Sequence, residues 1–122
     1  MIKEAYCSYE IAKLLKEKGF DIPCNAYWFI GEDVTFRVDG EPINWNDVKA
    51  TLEWLSCPTL QMVMAWLREK DIDLCIHPDF PRSMDYTIEF YENGEPGGCC
   101  GNYKTYEEAS EEAIKYALKN LI

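Results

Sequence analysis

The strongest constraint on this chain is an amphipathic segment near its middle, residues 56–70. Its apolar residues recur at i, i+3, i+4 and i+7, the spacing of one face of an α-helix: Leu60, Val63, Met64 and Leu67. Trp66 widens this stripe, and Pro58 suits a first helical turn, where its missing N–H is not needed. The pattern predicts a helix whose apolar face packs against the other elements.

Two more helices are predicted from the signals at their ends. Ser8 can cap a helix that runs from about Tyr9 to Lys18, and Gly19 can end it in the left-handed conformation. Residues 105–108 form a capping box, in which a threonine and a glutamate three positions later bond each other's backbone amides. This box predicts a last helix that ends near Lys119.

Four strands are predicted from alternation and from their branched and aromatic residues. Residues 26–30 and 34–38 are expected to form a hairpin, and residues 72–77 and 86–91 two further strands. In the second strand, alternation places three side chains inward: Val34, Phe36 and Val38. The first strand has no polar face. Either it is buried on both sides, or one row, Tyr27 and Phe29, is left partly open as a contact surface.

Two segments are harder to interpret. Residues 44–55 carry apolar residues at helical spacing behind Asn44, which favours a helix, although a loop with a short strand before Pro58 fits as well. Residues 93–102 are dense in glycine and other residues that break regular structure, which predicts a flexible loop around Cys99 and Cys100. Together the elements predict an α+β fold: a mainly antiparallel four-stranded sheet, packed on one face by about three helices, in a single domain over residues 1–122.

The net charge of the chain limits the classes of macromolecule that it can bind. Its 22 acidic and 12 basic residues give a net charge of −10, which disfavours direct binding to nucleic acid, since that affinity comes from lysine and arginine. No apolar run resembles an export signal or a membrane span, so the protein is expected in the cytoplasm and away from membranes. The 6 cysteines are scattered and are expected to be reduced and mostly buried.

The candidate chemistry lies in the cysteines and the single histidine. Cys99 and Cys100 are adjacent and flanked by glycines, but no pair of cysteine or histidine residues has the spacing of a zinc site. We therefore expect neither a metal nor a cofactor. His77 ends the third strand two residues after Cys75, although that separation is long for a direct hydrogen bond. These residues suggest a cysteine-dependent enzyme that pairs His77 with Cys75, Cys99 or Cys100.

The caps and stripes of residues 8–20, 58–69 and 105–122 resemble those of a group of short proteins from gut Bacteroidetes and their phages and mobile elements. That group has no known activity, so the resemblance implies a setting and no mechanism. Without a converging set of polar residues, the chain is predicted to be a small non-catalytic interaction or accessory protein. Its partner would be another protein or a second copy, and one version is an acidic inhibitor of a nucleic-acid-binding host protein. The cysteine-dependent enzyme is the alternative.

Overall fold

A computed structural model describes residues 3–50 and 52–122, and of Cys99 and Cys100 it describes the backbone alone. The chain divides into two compact units, residues 1–59 and residues 60–122, called here unit 1 and unit 2. Unit 1 contains α1 (Tyr9–Glu17), β1 (Cys24–Ile30), β2 (Val34–Ile43), a short 3-10 turn (Trp45–Asp47) and β3 (Glu53–Ser56). Unit 2 contains α2 (Leu60–Arg68), β4 (Ile72–Pro78), β5 (Tyr86–Glu92), β6 (Glu95–Tyr103) and α3 (Tyr106–Asn120).

The α+β class and the antiparallel strand pairing are confirmed, but the strands form two sheets instead of one sheet of four. In unit 1 the order is β2-β1-β3, and in unit 2 it is β4-β5-β6. All described strand pairs are antiparallel. The predicted hairpin gains β3 as a third strand, and the two further predicted strands gain β6. Both added strands come from segments for which a helix or a loop is the preferred prediction. The prediction of a single domain over residues 1–122 stays a prediction.

The first helix is confirmed with both of its end signals. The Ser8 hydroxyl accepts a hydrogen bond from the Ile11 amide at 3.3 Å. At the other end Gly19 takes φ +82°, and the Phe20 amide donates to the Leu15 carbonyl at 3.0 Å. Together with the bond from the Gly19 amide to the Lys16 carbonyl at 3.2 Å, this forms a Schellman cap, which satisfies carbonyls that a helix end leaves without partners.

The helix preferred for residues 44–55 is wrong, and the alternative of a loop with a short strand is correct. Asn44 caps only a 3-10 turn, and β3 follows as a partner of β1. Asn46 explains the difference. Its Oδ1 accepts from the Ser56 amide at 2.9 Å and its Nδ2 donates to the Phe20 carbonyl at 2.9 Å. These two bonds hold Asn46 in the turn that precedes β3, and β3 pairs with β1 over four residues.

The hairpin of β1 and β2 is confirmed, but the inward placement of three β2 residues is wrong. Val34, Phe36 and Val38 are 47%, 38% and 56% exposed. On the same face of the sheet Ala26 and Leu55 are fully buried, and α1 packs on the β3 side. One helix with its side chains is about 10–12 Å wide, whereas three strands that each occupy about 4.8 Å make a sheet about 14 Å wide. The cover therefore ends before the edge strand β2.

In unit 2 the apolar stripe of the central segment is confirmed. The helix begins at Leu60, two residues after Pro58, and all four predicted residues and Trp66 are buried. The predicted strands pair as β4 and β5, from Ile72 opposite Glu92 to Pro78 opposite Tyr86. Ile88 and Phe90 are buried on the face of the sheet that α3 contacts. The opposite face of β5 carries Thr87, Glu89 and Tyr91.

The loop predicted for residues 93–102 is wrong, because most of this segment is strand β6. Asn93 and Gly94 both take positive φ, 53° and 80°, as a tight hairpin turn requires. The glycines fit the strand for a local reason. A Cβ on Gly101 would lie 2.6 Å from Oγ1 of Thr87, so the backbones approach more closely than a side chain allows. Glycine lowers strand propensity but permits this pairing.

The last helix and its cap at Thr105 are confirmed, but the returning bond of the predicted box goes to a different amide. Thr105 Oγ1 accepts from the Glu108 amide at 3.0 Å, while the Glu108 carboxylate accepts from the Lys104 amide at 3.3 Å, one residue earlier than the usual box. The small residues of α3 allow close packing, and three of them are fully buried: Ala109, Ala113 and Ala117.

Candidate functional surfaces

The most exposed apolar group on a regular element of unit 1 is a row on the edge strand β2, which we call the β2 apolar row: Val34, Phe36 and Val38. The Phe36 ring lies 5.3 Å from the ring of Tyr6 and 5.3 Å from that of Trp28, measured between centroids. A pocket of about 290 Å³ opens beside them, lined by Tyr6, Cys7, Ser8, Trp28 and Phe36. Apolar side chains at an open sheet edge suit contact with another protein.

The other face of the same sheet holds an aromatic cluster: Tyr27, Phe29, Trp45 and Trp54. The rings of Trp45 and Trp54 stack on each other at 5.6 Å, and Tyr27 contacts both, at 4.2 Å from Trp45 and 4.9 Å from Trp54. Phe29 meets Trp54 edge-on at 4.7 Å. Trp45 is held by its indole N–H, which donates to the Cys24 carbonyl at 2.8 Å. Tyr27 and Phe29, the predicted contact residues, are half-buried. They line a shallow pocket of about 200 Å³ with Arg37 and Trp54.

Acidic residues flank the β2 apolar row at both ends. Glu32 and Asp33 precede the row and Asp39 and Glu41 follow it, and all four are exposed. No ion pair between described residues uses these carboxylates. Because they are not neutralised within the described part of the chain, both ends of the row are negatively charged.

In unit 2 the exposed face of the sheet carries a polar group around His77. The Nε2 atom of His77 lies 3.0 Å from Oε1 of Glu89, and Oε2 of Glu89 accepts from the Tyr91 hydroxyl at 2.7 Å. The hydrogen bond from Tyr91, followed by that from His77, lowers the pKa of the Glu89 carboxyl. An ionised Glu89 can only accept, so the histidine hydrogen lies on Nε2. The Nδ1 atom faces the Pro78 carbonyl at 3.4 Å.

Cys75 lies opposite Glu89 in the strand register and is exposed. Partial desolvation of the thiol, then the charges of Asp73 and Glu89, raises the pKa of Cys75, which opposes formation of the nucleophilic thiolate. Glu89 supplies the orienting group that the sequence could not identify for His77. Even so, the surroundings of Cys75 disfavour the chemistry, and the cysteine–histidine enzyme stays a prediction.

The backbone register places Cys99 opposite Glu89 and Cys100 opposite Ile88. The side chains of these two cysteines lie outside the described residues, and so does their predicted reactivity. Three other cysteines, Cys7, Cys24 and Cys57, are buried as expected. The Sγ atoms of Cys7 and Cys57 are 3.8 Å apart, longer than the roughly 2.05 Å of a disulfide. Burial, with the Cys57 charge as a smaller cause, raises the pKa of Cys24 to about 12.

Sequence reasoning did not identify Glu89, Tyr91 or Trp54 as parts of these surfaces. Alternation along residues 86–92 places Glu89 and Tyr91 on one face of β5, so the sequence does show that these two side chains are neighbours. Which β4 residues they meet depends on the strand register, which a single sequence does not specify. Trp54 joins the aromatic cluster only because β3 pairs with β1 and brings it opposite Phe29.

Further observations bear on what the chain binds. Within the described residues, no group of three or more histidine, cysteine, aspartate or glutamate side chains is placed to hold a metal ion. The described helices include none with the length and apolar character needed to cross a membrane. No protein-family model, curated protein or solved structure matches this chain.

Proposed function

We propose that this chain is a small non-catalytic interaction protein whose contact surface is the β2 apolar row of unit 1. One observation carries the proposal: three apolar side chains, 47%, 38% and 56% exposed, stand in a line on an edge strand. Exposed apolar residues are ordinary when scattered, but a contiguous row that can be covered marks a contact site. The half-buried Tyr27 and Phe29 provide a second, aromatic face for the same partner or another.

The polar face of unit 2 supports a non-catalytic role. His77 and Glu89 satisfy each other at 3.0 Å, and the neighbouring thiol of Cys75 has a raised pKa. A catalytic thiol needs a depressed pKa and a base within hydrogen-bond reach. We therefore assign the His77–Glu89 pair to the structure of the sheet surface.

We base the proposed cellular setting on the resemblance of the helix caps and apolar stripes to those of short proteins from gut Bacteroidetes. This setting is the cytoplasm of a gut Bacteroidetes cell, with the gene carried by the bacterium or by a phage or mobile element. In that setting the net charge of −10 favours protein partners over nucleic acid.

A capture experiment with matched variants tests the proposal. The variant Val34→Thr/Phe36→Thr/Val38→Thr removes the apolar row while keeping residues that favour strands. The control Phe80→Ser/Met84→Ser removes side chains that are even more exposed, at 73% and 82%, from unit 2. Circular dichroism melts establish that both variants remain folded.

Each tagged protein is incubated under reducing conditions with lysate of a gut Bacteroidetes species, and bound proteins are identified by mass spectrometry. We expect one stoichiometric partner on the wild type and on the control, and its absence from the row variant. A partner that the row variant retains, or the absence of any partner on the wild type, would contradict the proposal.

A further inference from the structure

The outer edge of β2 is one of the two outer edges of the unit 1 sheet, and it is the edge beside the β2 apolar row. Within the described residues β2 has one neighbouring strand, β1, whose other side is taken by β3. An edge strand points alternate N–H and C=O groups outward, where another chain can pair with them. The pairing of β2 with β1 is regular from Val34 to Val38, after which the register shifts and Pro42 lacks an N–H. The stretch that suits a further strand is residues 34–38, about 16 Å long.

On the face that carries the β2 apolar row, this stretch lacks the charged side chains that protect many edge strands. Natural edges are blocked by proline, by bulges or by charges on the exposed face. The face of β2 that carries the β2 apolar row has no charge between Val34 and Val38, because Arg37 lies on the opposite face with Tyr27 and Phe29. A strand added beside β2 would place its own alternate side chains next to the row, where they form cross-strand pairs with it.

The charges at the two ends specify the added strand further. Glu32 and Asp33 lie before the row and Asp39 and Glu41 after it, all exposed. A segment with lysine or arginine at both ends places each cation near two carboxylates, whereas an acidic or neutral segment gains nothing there.

A second copy of this chain fits the edge poorly. A symmetric antiparallel pair centred on Phe36 would place Asp33 opposite Asp39 of the second copy, twice, between molecules that each carry a net charge of −10. Centring the pair on Val38 would bring Arg37 opposite Asp39, but it requires the segment where the register shifts and Pro42 has no donor. Like charges directly opposite each other destabilise strand pairing.

We propose that β2 binds, as an added strand, an extended segment of a partner protein in which apolar residues alternate and basic residues stand at both ends. The apolar residues pack beside Val34, Phe36 and Val38, and the basic residues face the acidic ends of the strand. This inference rests on the proposed function, because it names the partner chemistry for the same surface. Beyond the proposed function, backbone pairing with β2 and the charges at its ends together determine which partner segment binds.

The test is an NMR titration of the isotope-labelled full chain with a synthetic peptide, Lys-Arg-Thr-Val-Thr-Ile-Thr-Val-Arg-Lys. A matched peptide replaces the basic residues with glutamate. Two more peptides carry N-methyl groups on either the three apolar residues or the intervening threonines, so that each blocks one edge of the peptide. The matched protein variant reverses the charges at the ends of the strand: Glu32→Lys/Asp33→Lys/Asp39→Lys/Glu41→Lys.

We expect the basic peptide to shift the amide signals of residues 33–39 and to bind at least about tenfold more tightly than the acidic one. Its affinity should fall as NaCl rises from about 50 to about 500 mM. One N-methylated peptide should lose binding, and the charge-reversed variant should prefer the acidic peptide.

Equal affinity of the two peptides, full binding by both N-methylated peptides, or no binding at all would overturn the inference. So would a dimer, measured by sedimentation, that the row variant dissociates, because it would assign the edge to a second copy. If a partner captured from lysate still depends on the row while the peptides fail, the proposed function stands and only this inference falls.

Discussion

Replacing Asn46 by alanine should destabilise unit 1 more than any other single asparagine change in it. The Asn46 side chain connects three parts of the unit: the turn that carries Trp45, the end of β3 and the residue after the α1 cap. Its Oδ1 accepts from the Ser56 amide at 2.9 Å, and its Nδ2 donates to the Phe20 carbonyl at 2.9 Å. Both partners belong to buried residues, with Ser56 0% and Phe20 2% exposed.

The magnitude follows from these two bonds. A buried donor or acceptor that loses its partner costs about 1–3 kcal/mol. Because Asn46 itself is half-buried, water can replace part of the loss, so Asn46→Ala should lower the free energy of unfolding by about 2–4 kcal/mol in total. Asn46→Asp keeps the acceptor for Ser56 but turns a carboxylate oxygen toward the Phe20 carbonyl. Its loss should shrink at low pH, where a protonated carboxyl can donate.

Urea denaturation followed by tryptophan fluorescence measures this change. Of the 4 tryptophans, Trp28, Trp45 and Trp54 belong to unit 1, so the signal reports that unit. The midpoint should fall by about 1–2 M at an unchanged slope. Asn44→Ala is the control: Asn44 also bonds the Asn46 amide, at 3.2 Å, but Oγ of Ser56 lies within reach of the same amide at 3.3 Å. Equal, small losses in both variants would refute the reasoning.

Three further predictions concern single residues. Gly101→Ala should lower the free energy of unfolding by about 1–2 kcal/mol, because the new Cβ would lie 2.6 Å from Thr87 Oγ1; Gly40→Ala, with no atom within 4 Å, should leave the urea midpoint unchanged. The pKa of the Glu89 carboxyl is lowered in the folded protein, so the ionised carboxylate stabilises the fold above the ordinary pKa of 4.5. This contribution is lost as pH falls through the lowered pKa, and the melting temperatures of the wild type and Glu89→Gln should therefore converge in acid. Burial raises the pKa of Cys24 from 9.0 to about 12, so its stabilisation is present below pH 9 and lost as pH rises toward 12. The difference in free energy of unfolding between the wild type and Cys24→Ala should therefore change by about 1.4 kcal/mol, against the wild type, between about pH 8 and about pH 10. A difference that stays constant over this pH range would contradict the prediction.

The elements that the sequence predicted well are those with local signals. Ser8 and Gly19 bound α1 because a cap needs only the residues within one turn of it. The stripe of α2 is buried as its spacing predicts. By contrast, residues 44–55 carry a helical spacing and still do not form an α-helix, because Asn46 bonds Ser56 and Phe20, which are distant in sequence.

The candidate surfaces were predicted only in part. Tyr27 and Phe29 were named as a partly open row, and they are half-buried. The residues of the β2 apolar row were recognised as one face of a strand but were placed inward, because alternation shows that a face is apolar and not that anything covers it. His77 was placed at the end of a strand, yet its partner Glu89 depends on the register between β4 and β5.

The sequence by itself determined the ends of α1, the start of α3, the apolar stripe of α2, the strands β1, β2, β4 and β5, the α+β class and the strong negative charge. These properties depend on neighbouring residues or on composition. The tertiary structure alone decided that β3 and β6 complete two separate sheets, that α1 leaves the edge strand β2 uncovered, and that Glu89 meets His77. Each of these outcomes depends on how residues far apart in the chain pair, and on the width of one helix against three strands.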